Sequence, residues 1–202
     1  MDLFLKILEL IGTMEFAISG FKPAMDKRYD IFGVYVCGFA VAVGGGTLRD
    51  VMIGCSPFWL TDSFYVLGTI GALVLFLLVY RLQLDYLWAV LDTIGLAIFT
   101  VLGAQKTLQY GFPDMAAVIM GCITGCFGGL LRDIFLAQEP SILKRDVYAS
   151  ASLIGATTYC LLFRATGNVP LSMLGGGVII CVIRYFAIIK HLNLPKIDQK
   201  KD

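Results

Sequence analysis

Apolar residues gather into seven stretches, near residues 3–21, 31–55, 62–80, 86–104, 114–137, 147–164 and 171–189. Each approaches the roughly 20 residues that carry an α-helix across a bilayer. The segments between them are polar or turn-forming: Lys22-Pro23 through Asp30, Ser56-Pro57, Arg81 to Asp85, Gly111 to Asp114, Glu139 to Asp146 and Gly167 to Pro170. Lys6, Glu9 and Glu15 dilute the first stretch, which is the weakest of the seven. The pattern predicts an all-α membrane protein of seven transmembrane helices. The polar tail after His191, with Pro195 and three more lysines, reads as disordered.

Part of the chain repeats itself. Gly44-Gly45-Gly46-Thr47-Leu48-Arg49-Asp50 and Phe127-Gly128-Gly129-Leu130-Leu131-Arg132-Asp133 lie 83 positions apart. The same ungapped offset of 83 pairs Gly12 with Gly95, Phe16 with Phe99, Gly20 with Gly103, Gly38 with Gly121, Pro57 with Pro140 and Tyr65 with Tyr148. Three spans per repeat is an odd number, so the second copy enters the membrane from the opposite side. The expected organisation is repeat 1 over residues 1–84, repeat 2, inverted, over 85–168, and a seventh helix with its tail over 169–202. Gly175-Gly176-Gly177 in the seventh span suits close packing against a neighbouring helix or subunit.

Seven crossings put the termini on opposite faces. With Arg49 and Arg132 set aside as intramembrane, three cationic residues fall on the N-terminal side (Lys6, Lys106, Arg164) and eleven on the other. The positive-inside rule then predicts an external N-terminus and a cytoplasmic C-terminus. Trp59, Trp88, Tyr65, Tyr86 and Tyr148 fall near span ends and read as interfacial anchors.

The repeated motif holds the candidate chemistry. Glycine disfavours a helix by about 1 kcal/mol relative to alanine, so Gly44-Gly45-Gly46 and Gly128-Gly129 predict a kink or an unwound turn near mid-membrane. Carbonyls freed there face a watery cavity and can coordinate a cation. The alternative is that these glycines let two helices touch. Arg49-Asp50 and Arg132-Asp133 are the deepest adjacent charges. A charge at mid-membrane costs at least about 2.5 kcal/mol, so such residues face a bundle interior or a pathway. Neighbours on a helix point about 100° apart, so each charge is expected to pair with another helix, Arg49 with Asp133 or Arg132 with Asp50 being the candidates across the repeat axis; the alternative to a pathway role is a structural ion-pair network that holds the helices together. Glu9 and Asp92 share the offset and are expected near the two pathway mouths.

Composition agrees with lipid exposure: 58% apolar residues, 15% charged and a mean hydropathy of +0.81. A net charge of +1 with no basic run outside the tail gives no sign of a nucleic-acid partner. Six cysteines lie in or beside apolar runs without a C-x-x-C, and read as buried free thiols. A single histidine in the tail, and no P-loop, G-x-S-x-G or H-E-x-x-H, argue against an enzyme; no cofactor is expected and no metal-ligand set is assigned.

With both Gly-rich Arg-Asp motifs and the three-plus-three-plus-one layout, the chain resembles the prokaryotic branch of the trimeric intracellular cation (TRIC) channel family over about residues 3–190. The resemblance implies a homotrimer in the inner membrane with an hourglass pore in each protomer, kinked second and fifth helices, and passage of monovalent cations, chiefly potassium. It makes Gly44, Gly45, Gly46, Arg49, Asp50, Gly128, Gly129, Arg132 and Asp133 the pore-region residues. The Lys-Glu-Val tripeptide tied to inositol-lipid binding in animal members does not occur, so animal-type lipid regulation and reticulum localisation are not carried over, and membrane lipid is expected as a partner. A related bacterial domain carries the label glycine transporter, and a secondary transporter of a small amino acid is the alternative function.

Overall fold

The computed structural model describes residues 2–80, 85–144 and 147–190, and the expectations for Arg81, Arg145 and the tail from His191 onward lie outside them. Among the described residues, nine helices occur in chain order: α1 (Asp2–Asp26), α2 (Ile31–Met52), α3 (Phe58–Thr61), α4 (Phe64–Val79), α5 (Asp85–Gln109), α6 (Asp114–Phe135), α7 (Ser141–Lys144), α8 (Ala149–Thr166) and α9 (Val169–Lys190). The seven long ones correspond to the seven apolar stretches. The four-residue helices α3 and α7 occupy equivalent places in the two halves, after α2 and after α6.

Local chemistry fixes several boundaries. Asp30 caps α2, its Oδ1 accepting from Gly33 N–H at 2.7 Å. Asn168 Oδ1 accepts from Leu171 N–H at 3.0 Å at the start of α9. Gly111 (φ 82°) and Gly167 (φ 64°) turn left-handed just after α5 and α8, which a side chain would oppose. Among the described residues, four helices are long and apolar enough to cross a membrane by length and composition: Ile31–Met52, Trp88–Gln109, Asp114–Phe135 and Val169–Lys190. The α4 helix is apolar but short at 16 residues, while α1 carries the charges noted above.

The two halves meet along an axis at which equivalent residues touch each other. Phe16 stacks on its own counterpart Phe99, with ring centroids 5.0 Å apart. A Cβ added at Gly45 of α2 would overlap the Thr124 carbonyl oxygen of α6, and one at Gly128 of α6 would overlap the Val41 carbonyl oxygen of α2. Gly45 and Gly128, like Val41 and Thr124, are related by the offset of 83. Because the higher-numbered residue on one helix meets the lower-numbered one on the other, α2 and α6 cross antiparallel. Within the halves the correspondence continues: Gly38 lies against Ala17 O, and Gly121 against Thr100 O, at 2.7 Å from an added Cβ in each case. These contacts describe two inverted three-helix repeats.

The α9 helix joins the second half. Gly155 of α8 and Gly176 of α9 face each other's carbonyl oxygens, with an added Cβ 2.9 and 2.8 Å away respectively. Small residues thus bring these two helix backbones together, as the glycine run in the seventh span suggested.

Candidate functional site

Helices α2 and α6 run unbroken through Gly44–Gly46 and Gly128–Gly129. The expected unwound turn is therefore absent. Crossing geometry explains the glycines instead. Gly44 lies under Leu131, Gly45 against the backbone of Thr124, Gly46 against the Phe58 ring, and Gly128 against the backbone of Val41. Gly129 has room, its nearest neighbour being Tyr148 Oη at 3.6 Å from an added Cβ. At Gly45 and Gly128 the helix propensity lost is offset by the packing of two backbones in contact.

Arg49 and Arg132 fall in the last turns of α2 and α6, closer to the helix ends than expected. A cation there faces the negative pole of the helix dipole. Since the helices cross antiparallel near residues 43 and 126, the two arginines lie at opposite ends of the bundle. Six residues each way at 1.5 Å per residue separates them by roughly 18 Å along the crossing. The expected pairs, Arg49 with Asp133 and Arg132 with Asp50, do not form.

Each arginine instead pairs with acids of its own half. Arg49 Nε donates to Asp50 Oδ1 at 2.8 Å, and Nη2 donates to Glu9 Oε1 on α1 at 3.2 Å. Tyr65 Oη on α4 donates to Glu9 Oε2 at 2.9 Å. Asp50 also accepts from Phe58 N–H at 2.8 Å, which anchors α3, and from Lys106 Nζ on α5 at 2.8 Å. In the second half, Arg132 Nε donates to Asp133 Oδ1 at 3.0 Å and Nη1 to Asp92 Oδ1 on α5 at 3.0 Å. Glu9 and Asp92 are repeat equivalents. Adjacent residues do pair here because the long arginine side chain folds back over its neighbour's carboxylate. Arg49 and Asp50 are 0% exposed and Asp133 is 2% exposed, so their desolvation requires this density of partners.

The clusters differ at their edges. Asp92 is one methylene shorter than Glu9, and the Tyr148 hydroxyl has no hydrogen-bond partner among the described residues, whereas its equivalent Tyr65 bonds Glu9. Arg184 of α9 covers that place, its Cζ 4.8 Å from the Tyr148 ring centroid and its Nη2 3.9 Å from Asp92 Oδ2. Tyr65 and Tyr148 are thus buried cluster members, 5% and 4% exposed, and not the interfacial anchors the sequence suggested. Trp59 donates from Nε1 to Thr47 Oγ1 at 2.9 Å, while the Tyr86 side chain lies outside the described set.

Two adjoining chambers with shared wall residues lie at the bundle end where α1 begins. The inner one, about 260 Å³, is walled by Leu5, Glu9, Arg49, Leu102, Gln105 and Lys106 among others. The outer one, about 520 Å³, adds Asp62, Tyr65 and the Cys55–Ser56 turn, and shares Lys6, Glu9, Lys106 and Tyr110 with the inner. At the opposite end the carbonyls at the end of α6 are capped from the first half. Lys27 Nζ donates to Leu136 O, and Tyr29 Oη donates to Phe135 O at 3.1 Å.

This arrangement has solved counterparts. A crystal structure of the TRIC trimeric intracellular cation channel orthologue from Rhodobacter sphaeroides matches with a TM-score of 0.88 and 32% identity, covering 94% of this chain and 99% of that one. The chain belongs to the TRIC channel family. A second TRIC structure, a prokaryotic channel crystallised in 0.5 M KCl, matches with a TM-score of 0.88 at 27% identity over 96% of this chain and 100% of that one. The family described as Glycine transporter matches this TRIC chain twice, at residues 6–81 and 89–164, two segments displaced by the repeat offset. An Escherichia coli UPF0126 inner membrane protein, YadS, is 38% identical over 93% of each chain. None of these relatives is described as an enzyme.

Proposed function

We propose that the protein is a cation channel passing monovalent cations, potassium foremost, along the seam between its two halves. One observation carries the reading: the charged chambers at the α1 end share Glu9 and Lys106, the partners of the Arg49–Asp50 pair at the end of α2. The likeness to solved TRIC cation channels supports it. In this reading Gly44, Gly45, Gly46, Gly128 and Gly129 form the constriction. Arg49 with Asp50, and Arg132 with Asp133, guard its two ends. The crossing is shut in this conformation, since the backbones touch at Gly45 and Gly128, so conduction requires α2 and α6 to part. We further assign residues 1–84 and 85–168 as the working halves, a homotrimer as the assembly, and a prokaryotic inner membrane as the location, with the N-terminus outside.

Recording from purified protein in planar bilayers tests the proposal. Unitary currents that reverse near the potassium equilibrium potential are expected, with lower cation-over-anion permeability in Asp50→Asn and Asp133→Asn. The glycine-transporter match sustains a second reading, in which the same inverted halves alternate access to a small amino acid. Saturable glycine counterflow without unitary current would establish that reading and overturn the channel.

A further inference from the structure

At the bundle end opposite the chambers, one turn of the first half reaches across to the second. Lys27, Arg28 and Tyr29 make the whole connection between α1 and the Asp30 cap of α2. Their N–H groups return to Pro23 O, Met25 O and Ala24 O at 3.2, 2.9 and 3.2 Å, which fixes the turn to its own half. Two of its side chains then leave for the other half: Lys27 Nζ donates to Leu136 O, and Tyr29 Oη to Phe135 O at 3.1 Å. An ammonium at the end of α6 faces the negative pole of the helix dipole, so the Lys27 bond is charge-assisted.

The offset of 83 carries this arrangement to the chamber end, and there its donors are replaced. The helices themselves finish alike. Ile53 and Leu136 N–H return to Arg49 O and Arg132 O, and Cys55 and Gln138 N–H to Asp50 O and Asp133 O. Tyr110, in the place of Lys27, belongs to the wall of the outer chamber, and Phe112, in the place of Tyr29, has no side-chain donor. Backbone conformation divides the same way. Arg28 and Ala137 hold left-handed φ angles of 61° and 49°, whereas their equivalents Gly111 and Gly54 hold 82° and 78°. Residues other than glycine persist in that region where their surroundings over-determine it.

We propose that the Lys27–Tyr29 turn is a strap holding the two halves together, about which α2 and α6 pivot so that they part at the chamber end. The crossing lies between the two ends, and Leu136 is roughly 15 Å beyond it, ten residues of helix. A hinge keeps its contacts through the motion while the far end gives them up. The long Lys27 chain can follow a tilt of α6 and keep its carbonyl. At the chamber end the two halves are tied by Lys106 Nζ to Asp50 Oδ1 at 2.8 Å, and this tie is exchangeable: Asp50 retains Arg49 and the Phe58 N–H when Lys106 leaves. Parting there would join the chambers to the crossing; that consequence alone rests on the channel reading.

Pulsed electron-resonance distances in the full-length protein test the pivot without reference to current. Two label pairs are related by the repeat and stand on exposed residues of α2 and α6: Phe32 with Phe135 at the strap end, and Met52 with Met115 at the chamber end. Cysteines replace these residues, serines replace the partly buried Cys55, Cys122 and Cys181, and labelled protein is diluted into unlabelled. A single narrow distance is expected at the strap end and a broad or two-component one at the chamber end. Lys27→Met with Tyr29→Phe should widen the strap-end distribution to match the other. Should that double variant fail to fold, Tyr29→Phe alone, which removes one hydroxyl from an exposed ring, should still widen it. Equal widths at the two ends of the unmodified protein, or a strap-end distance untouched by these substitutions, would overturn the proposal. If the distances behave as expected and no unitary current occurs, the strap stands and the channel reading falls.

Discussion

Replacing Gly45 by alanine puts a methyl group at the place where α2 meets α6 most closely. The added Cβ would sit 3.0 Å from the Thr124 carbonyl carbon and overlap its oxygen. The obstacle is backbone, so no side-chain rotation relieves it, and the helices must separate by an ångström or so. Overpacking of this kind costs about 1–3 kcal/mol, occasionally more, and a backbone obstacle belongs at the upper end. Alanine returns about 1 kcal/mol of helix propensity. A net loss of about 2 kcal/mol is expected for Gly45→Ala, and a similar one for Gly128→Ala at the equivalent contact with Val41. Gly71 of α4 is the control, because nothing lies within 4 Å of its added Cβ, so Gly71→Ala should gain up to about 1 kcal/mol. The assay is reversible chemical denaturation of purified protein in mild detergent, followed by circular dichroism. Gly45→Ala and Gly71→Ala shifting stability in the same direction would refute the reasoning, and would return the glycines to a role in bending α2.

Breaking a buried ion pair costs about 3–5 kcal/mol, so Arg49→Ala and Glu9→Gln should each destabilise strongly, while the double variant loses clearly less than their sum. The same non-additivity is expected for Arg132 with Asp92 and not for Arg49 with Asp133; a coupling at the last pair in a denaturation cycle would contradict the two-cluster arrangement. Reporter fusions check the orientation: one after Asp202 should be cytoplasmic and one before Met1 external, and finding both on one face would remove a crossing.

Hydropathy made the seven long helices legible, because lipid imposes length and polarity on each of them. The inverted pairing was equally legible, since one ungapped offset runs through positions that the structure brings into contact, such as Phe16 with Phe99. The glycine run was ambiguous, because low helix propensity and small volume predict opposite things, a break or a close crossing, and only the position of Thr124 and Val41 decides between them. Pairing of the charges was misread for two reasons. An arginine reaches its neighbour by curling, which the 100° rule for side-chain directions does not describe, and the antiparallel crossing carries the two motifs apart. Glu9 and Asp92 carried a usable signal, as the one pair of acids in the first spans of both repeats that obeys the offset. Lys106 and Arg184 carried none. The first aligns with Pro23 and the second belongs to the helix outside the repeat, so symmetry pointed to neither.

The seam at Phe16 and Phe99 has the property of an isologous contact: each surface is its own complement. A single three-helix unit carrying Phe16, Val41 and Gly45 already holds both sides of the Gly45–Thr124 type of contact, apart from the one replacement of Val41 by Thr124. Two separate copies of the first half, inserted in opposite senses, would therefore keep this contact and the Phe16 stack. What fusion adds is the freedom for the halves to diverge. Lys106, standing where the first half has Pro23, is a change that a homodimer could not make on one face alone; Arg184 comes with the added α9, and the two ends of the bundle differ in chemistry as a result.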